Sequence, residues 1–264
     1  MPSVIAKIAE FWVRVHSENT EVINWMKTRF EVTSVSPCDE GQKCVATIHL
    51  VPGYGSGFSG FAVATSISHG KVRFDRRDYL IESDLDFQHA DISYFNELAL
   101  RHALISFFSS FLVHKQWGIV LHASCAIDDE QAYLFFGKSG AGKSTAARLS
   151  SPRLLLSDDA ALVKITTNGI RVYDSPLRSD IMPTFTKRSY PIAGIHWLHQ
   201  DVHVRCAPLP RSQALQLLMD NVFYWPHTPV DTLKMVRMQG MFTAQVPFFH
   251  LYFQKNDSFW EAIS

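Results

Sequence analysis

The hydrophobic and polar positions of the chain follow a short period up to about residue 90. Apolar, often β-branched runs at 43–51, 61–65, 71–75 and 79–81 are separated by turn residues. Runs of this length predict strands, and the last two predict a hairpin. The glycine-rich stretch 53–60 is interpreted as a plain turn, because no helical pattern follows it. Residues 1–90 are therefore predicted to be a β-rich region.

The period then changes to three- and four-residue spacing between residues 93 and 115. This spacing predicts an amphipathic helix with Ser93 as its N-cap, and we expect the helix to pack against the sheet that follows it. Further along the chain the pattern predicts strands at 118–127, 132–136, 153–159, 195–198 and 246–253, a hairpin between 161–165 and 170–173, and a helix over 210–221.

A glycine-rich motif lies between the predicted strand 132–136 and a helical stretch that follows. It matches G-x-x-x-x-G-K-[ST] and consists of Gly137, Lys138, Ser139, Gly140, Ala141, Gly142, Lys143 and Ser144, followed by Thr145. In this pattern the backbone N–H groups surround phosphates, the lysine reaches the outer phosphates and the hydroxyl binds magnesium. The alternative is a glycine turn that only joins strand to helix. The complete strand–loop–helix context favours a nucleotide-binding P-loop (Walker A).

Two adjacent carboxylates, Asp158 and Asp159, end the predicted strand after that helix. A strand that delivers a carboxylate is the usual magnesium partner of a phosphate loop. The short interval from Lys143 to Asp158 leaves room for one helix and a return strand, so we expect the two strands to be sheet neighbours. The second carboxylate offers a base for an acceptor hydroxyl. Alternatively, one carboxylate binds metal and the other only caps the next turn.

The composition narrows the class of protein. The chain has 264 residues, 47% of them apolar, with 25 basic and 25 acidic side chains. A zero net charge argues against a nucleic-acid partner. The four cysteines, Cys38, Cys44, Cys125 and Cys206, show no C-x-x-C spacing and are read as thiols of a reducing cytosol. The apolar stretch 103–113 is too short to span a membrane, and the N-terminus lacks a signal-peptide pattern, so a cytoplasmic protein is predicted.

Three segments together resemble a known family. Leu121-His122-Ala123, the motif at 137–145 and Ser157-Asp158-Asp159 look like the catalytic domain of HPr kinase/phosphorylase. The similarity is greater to the HPr-kinase-like proteins found beside peptide-modification genes, and it covers roughly residues 93–264. The resemblance implies a mixed α/β (α+β) fold. Its P-loop core would be of the type shared with phosphoenolpyruvate carboxykinases. Residues 91–264 would form this kinase domain, and residues 1–90 would form an N-terminal β-rich accessory region.

The resemblance also implies the roles of individual residues. The 137–145 segment would bind ATP, with Ser144 and Asp159 as Mg²⁺ ligands. The catalytic residues would be Asp158 as base on an acceptor serine, Asp159 beside it, Lys143, and His122 near the reacting phosphate. Arg178 and Arg188 would face the phosphates.

The chain departs from the full-length bifunctional enzymes in two ways. Thr145 stands where they carry Glu, and their glycine-rich stretch tied to phosphorylase activity is not found. A serine of a different peptide or protein, or a small hydroxylated metabolite, is therefore expected as acceptor. The alternative that is not an enzyme is a nucleotide-gated regulatory or scaffold protein. The expected partners are a nucleotide and this acceptor. No membrane partner is expected, and the sequence leaves open whether the protein is a homo-oligomer.

Overall fold

The computed structural model describes residues 1–33 and 44–264, which pack into two compact units. The first unit contains Met1–Lys115 and Tyr224–Thr232, and the second contains Gln116–Phe223 and Leu233–Ser264. Cys38 and the first residue of the strand predicted at 43–51 lie outside the described residues. The division of the chain near residue 90 into an accessory and a kinase domain stays a prediction.

The first unit is built on a mixed sheet that has eight strands within the described residues. The strands are β1 Ser3–Ile8, β2 Phe11–Ser17, β3 Glu31–Thr33, β4 Ala46–Pro52, β5 Ala64–Ser68, β6 Lys71–Arg76, β7 Tyr79–Asp84 and β8 His89–Tyr94. Their order in the sheet is β3-β1-β2-β4-β8-β7-β6-β5. β4 runs parallel to β2 and β8, and the other pairs are antiparallel. The predicted hairpin is confirmed as β6 and β7.

Two helices of this unit differ from the sequence-based prediction. Helix α1, Thr20–Arg29, begins where only strands were predicted, and the Asn19 side chain caps it by accepting from the Glu21 N–H at 2.9 Å. Helix α2, Glu97–His114, is capped by Asn96 and not by Ser93, which lies in β8. It packs against β7 and β8 of the preceding sheet, and its residues from Ala103 to Val113 are all buried, so it is not amphipathic.

The second unit contains another mixed sheet. Its described strands are β9 Gly118–His122, β10 Ser124–Asp128, β11 Gln131–Phe136, β12 Leu154–Ser157, β13 Ala160–Thr166, β14 Gly169–Tyr173, β15 Tyr190–Gln200, β16 Arg205–Pro208 and β17 Phe248–Phe253. Seven of them follow the order β12-β10-β11-β15-β14-β13-β9. β17 pairs in parallel with β15 and antiparallel with β16, and β11 is also parallel to β15. The predicted hairpin at 161–173 is confirmed as β13 and β14.

Two predictions about this sheet are wrong. The single strand predicted at 118–127 is two strands interrupted at Ala123: β9 pairs with β13, whereas β10 pairs with β11 and β12. β12 is also not the neighbour of β11, because β10 lies between them. Asp129 and Glu130, with φ of 44° and 60°, form a tight turn between β10 and β11. Such a turn favours a hairpin, which occupies that edge of β11 before β12 is reached.

The helices of the second unit are short except for α5. They are α3 Lys143–Leu149, α4 Arg211–Asp220, α5 Pro229–Gln245, whose first residues belong to the other unit, and α6 Trp260–Ile263 after a 3₁₀ turn at Asp257–Phe259. α4 corresponds to the helix predicted at 210–221. α3 packs on β10 and β11, and its Ala146 shares a buried cluster with Phe135, Leu198 and Phe253. None of the described helices has the length and hydropathy needed to cross a membrane.

Candidate active site

The loop of residues 137–142 joins the carboxyl end of β11 to α3. Gly140 and Gly142 have φ of 80° and 107°, values that residues with a side chain rarely adopt. Space is also restricted, since a Cβ on Gly142 would lie 2.9 Å from the Phe253 ring and one on Gly137 would lie 2.6 Å from the Ala141 Cβ. The glycines of the motif are therefore required by the backbone and by close packing at these positions.

A Gly142→Ala substitution is expected to lower the free energy of unfolding by about 1–3 kcal/mol, the usual cost of an unfavourable backbone conformation. The contact with Phe253 would add to this cost. Denaturant unfolding of the full chain measures the change. Gly240→Ala is the matched control, because a Cβ there meets nothing within 4 Å in the middle of α5, and it should be neutral or stabilising. Equal stability of the two variants would contradict this account of Gly142.

The Lys143 side chain folds back over the loop. Its Nζ donates to the carbonyl oxygen of Gly137 at 2.8 Å, and the Ser124 hydroxyl donates to the Lys143 carbonyl at 3.0 Å. Burial lowers the pKa of the Lys143 ammonium, and the nearby Asp159 carboxylate partly raises it again. The ammonium thus lies in a partly desolvated position under the influence of the Asp159 charge, where its interaction with an anion is stronger than in water. Ser144, the next residue, is exposed.

His122 and Asp159 meet beside this lysine. His122 ends β9, its backbone is paired with Ala160, and its Nε2 lies 3.3 Å from Asp159 Oδ1. The Ser157 hydroxyl accepts from the Asp159 N–H at 3.2 Å, and the Ala123 N–H donates to the Asp159 carbonyl at 3.0 Å. These contacts hold the β9–β10 junction against the end of β12. The two side chains are 39% and 24% exposed, so a ligand in solvent can reach both.

Asp158 has a different environment from Asp159. It is buried, and its carboxylate accepts from three backbone N–H groups: Ser179 at 2.8 Å, Asp180 at 2.7 Å and Ile181 at 3.0 Å. Both carboxylate oxygens are therefore engaged in holding the irregular segment after β14. Although the two carboxylates are adjacent in sequence, it is Asp159 that contacts His122 and whose charge raises the pKa of Lys143.

The two arginines expected near the phosphates have other described contacts. Arg178 is buried, donates to the carbonyl oxygens of Ser175 at 2.9 Å and Met182 at 3.0 Å, and forms an ion pair with Asp174. Burial lowers its pKa to about 10, although the Asp158 charge opposes this. These contacts organise the segment after β14. Arg188 is exposed and forms an ion pair with Glu130.

Two cavities flank the 137–142 loop. One, of about 430 Å³, is lined by Gly142 and Thr145 together with the chain after β15 and the end of β17. The other, of about 390 Å³, is lined by residues 138–141 and 197–200. Gln200 borders both, and its side-chain amide donates to the Gly140 carbonyl at 2.9 Å. Sequence reasoning missed Ser124 and Gln200, because only the folded sheet brings them to the loop.

A metal at this site would depend on few protein ligands. The described residues contain no group of three or more His, Cys, Asp or Glu side chains arranged for a metal. Mg²⁺ normally keeps several waters and uses one or two protein oxygens besides substrate phosphates. The exposed Ser144 hydroxyl and the partly exposed Asp159 carboxylate fit that requirement.

These features define a mixed α/β protein with two mixed sheets and a candidate active site at the carboxyl edge of β11 and β15. The chain belongs to the family described as SynChlorMet cassette protein ScmC, whose family model matches residues 90–264. Among solved structures, the chain is similar to the Hpr(Ser) kinase/phosphatase from Coxiella burnetii. The identity is 12%, over 51% of this chain and 85% of that chain, with a TM-score of 0.26. The chain matches no curated protein.

Proposed function

We propose that the protein is an ATP- and Mg²⁺-dependent kinase that transfers the γ-phosphoryl group to a hydroxyl, with a serine of a peptide or protein as acceptor. The core would be a P-loop of the HPr kinase/phosphoenolpyruvate carboxykinase type. One observation carries the proposal. Lys143, His122 and Asp159 come from three separate segments and converge beside the 137–142 loop, where His122 Nε2 lies 3.3 Å from Asp159 Oδ1.

The first task of such a site is to hold a triphosphate. The backbone N–H groups of 137–145 would bind its oxygens, and the Lys143 ammonium would exchange the Gly137 carbonyl for the outer phosphates. The Ser144 hydroxyl would bind Mg²⁺, with Asp159 as a second partner through water. The metal would supply charge neutralisation between the β- and γ-phosphates. Phosphoryl transfer depends mainly on such positioning and neutralisation.

The second task is to accept the proton of the attacking hydroxyl. We assign it to Asp159, because its carboxylate is partly exposed and adjoins His122, whereas Asp158 is buried and engaged by three N–H groups. As the acceptor oxygen bonds to the γ-phosphorus, the bond from phosphorus to the β–γ bridging oxygen breaks and ADP leaves. Asp159 takes the proton, and a His122 ring protonated at Nε2 orients the carboxylate by donating to Oδ1.

The experiment that tests this function measures transfer of label from γ-labelled ATP with Mg²⁺. The purified full chain is incubated with serine-containing peptides, including those encoded by neighbouring genes, and with their Ser→Ala versions. We expect label on a peptide serine and none on its alanine version. Tight ATP binding without transfer to any of these acceptors would contradict the kinase proposal and would favour a nucleotide-gated binding protein.

A further inference from the structure

The cavity of about 430 Å³ has three walls from the second unit. Gly140, Gly142 and Thr145 form the wall on the side of the loop and α3. The chain leaving β15 contributes residues 200–202, and the end of β17 contributes residues 253–255. The kinase mechanism above uses the wall formed by the loop and α3 but assigns no role to residues 200–202 and 253–255. Its volume lies within the usual range for sites that hold small molecules.

The sheet topology separates this cavity from the reacting groups. β11, β15 and β17 are parallel, so their carboxyl ends lie at one edge of the sheet, the edge where ligands of α/β proteins bind. Asp159 lies between β12 and β13 and contacts His122 at the end of β9, whereas residues 200–202 and 253–255 lie at the ends of β15 and β17. The cavity borders the loop but is lined by neither Asp159 nor His122, so a nucleotide held by the loop with its γ-phosphate toward Asp159 has this cavity available for its nucleoside.

The walls of the cavity offer both apolar surface and polar groups. Val202 is 74% exposed and supplies apolar surface, and the largely buried ring of Phe253 also lines the cavity. Among the described residues that line the cavity, Asp201 is the acidic side chain and Lys255 the basic one. The Asp201 carboxylate is held by the His203 N–H at 3.1 Å and lies 3.6 Å from Arg205. This hydrogen bond lowers the pKa of Asp201, and an ionised carboxylate only accepts hydrogen bonds.

We propose that this cavity is the nucleoside site of the protein and that Asp201 selects a base with an exocyclic amino group, such as adenine. The proposal rests on the proposed nucleotide-binding function and names residues for its base-recognition step. An amino group donates to a carboxylate, whereas the carbonyl oxygen of hypoxanthine at the same position would meet it as a second acceptor. The other cavity, lined by residues 138–141 and 197–200, is thereby left outside the nucleoside site.

The selectivity is tested by calorimetry with ATP, inosine triphosphate and inorganic tripolyphosphate, each with Mg²⁺. We expect the wild-type chain to bind ATP about tenfold to a hundredfold more tightly than inosine triphosphate, the range for one hydrogen bond to a charged group. Asp201→Ala should reduce that ratio to near one while leaving tripolyphosphate affinity within about twofold. Asp220→Ala, an exposed aspartate at the end of α4, is the matched control and should keep the wild-type ratio.

The location is tested by irradiating the protein with ATP that carries an azide on the adenine ring and mapping the labelled peptides. Label that tripolyphosphate displaces should fall on residues 200–202 or 253–255. Displaceable label on residues 197–199, or an unchanged ATP preference in Asp201→Ala, would overturn the inference while leaving nucleotide binding intact. Absence of any binding of ATP and tripolyphosphate would instead reject the proposed function, and the nucleoside site with it.

Discussion

Replacing Asp159 with Asn is expected to lower the rate of phosphoryl transfer by about 10²- to 10⁴-fold, the usual contribution of a positioned proton acceptor. The amide is nearly isosteric but cannot take the proton. Because the loop and Lys143 would hold the phosphates and Asp159 would reach the metal only through water, the dissociation constant of ATP should change by only a few fold. Single-turnover transfer of labelled phosphate, measured beside ATP binding, separates the two effects.

Asp158→Asn is the matched variant for this assignment. The NH₂ of the new amide would replace a carboxylate oxygen that now accepts from a backbone N–H, so two donors would face each other. We therefore expect the free energy of unfolding to fall by about 1–3 kcal/mol. Asp159→Asn should unfold like the wild type, since its carboxylate is partly exposed. An inactive Asp158→Asn of normal stability together with an active Asp159→Asn would reverse our assignment and make Asp158 the base.

Replacing Lys143 with Met is expected to lower kcat/KM for ATP by about 10²- to 10³-fold. The substitution removes a preorganised positive charge from the place where negative charge develops on the phosphates in the transition state. The folded structure should not suffer. Burial lowers the pKa of Lys143, so its charge is less favourable in the folded chain than in the unfolded one, and an apolar side chain of similar length removes that cost.

Thermal unfolding and initial-rate measurements of Lys143→Met test whether the variant combines a lower kcat/KM with undiminished stability. Lys27→Met, at an exposed position of α1, is the control for loss of a lysine charge and should retain wild-type rates. A Lys143→Met protein that keeps full activity would show that the Lys143 ammonium does not act on the phosphates. A protein that fails to fold would show that the hydrogen bond to Gly137 is structural.

The predicted elements with strong local signals agree with the structure. They are the β6–β7 and β13–β14 hairpins, the strand before the 137–142 loop and the helix after it. Each is indicated by alternating apolar residues, turn residues or glycines that lie within a few residues of one another. Helix α1 was missed, since its cap at Asn19 lies in a region whose neighbours all favour strands. Helix α2 packs on β7 and β8 of the preceding sheet, a partner that periodicity could not select, because its residues 103–113 are all buried.

The sequence by itself determined the local parts of the candidate site. It placed the glycine motif between a strand and a helix and put two carboxylates at a strand end, because each of these is a property of adjacent residues. His122 was singled out by the family resemblance and not by its local pattern. Only the tertiary structure decided which groups meet. Pairing of β10 with β12, pairing of β9 with β13 and capture of Asp158 by three N–H groups depend on contacts between segments distant in sequence. Such contacts leave no periodic pattern in the chain, so the separation of Asp158 from Asp159 appears only in the folded protein.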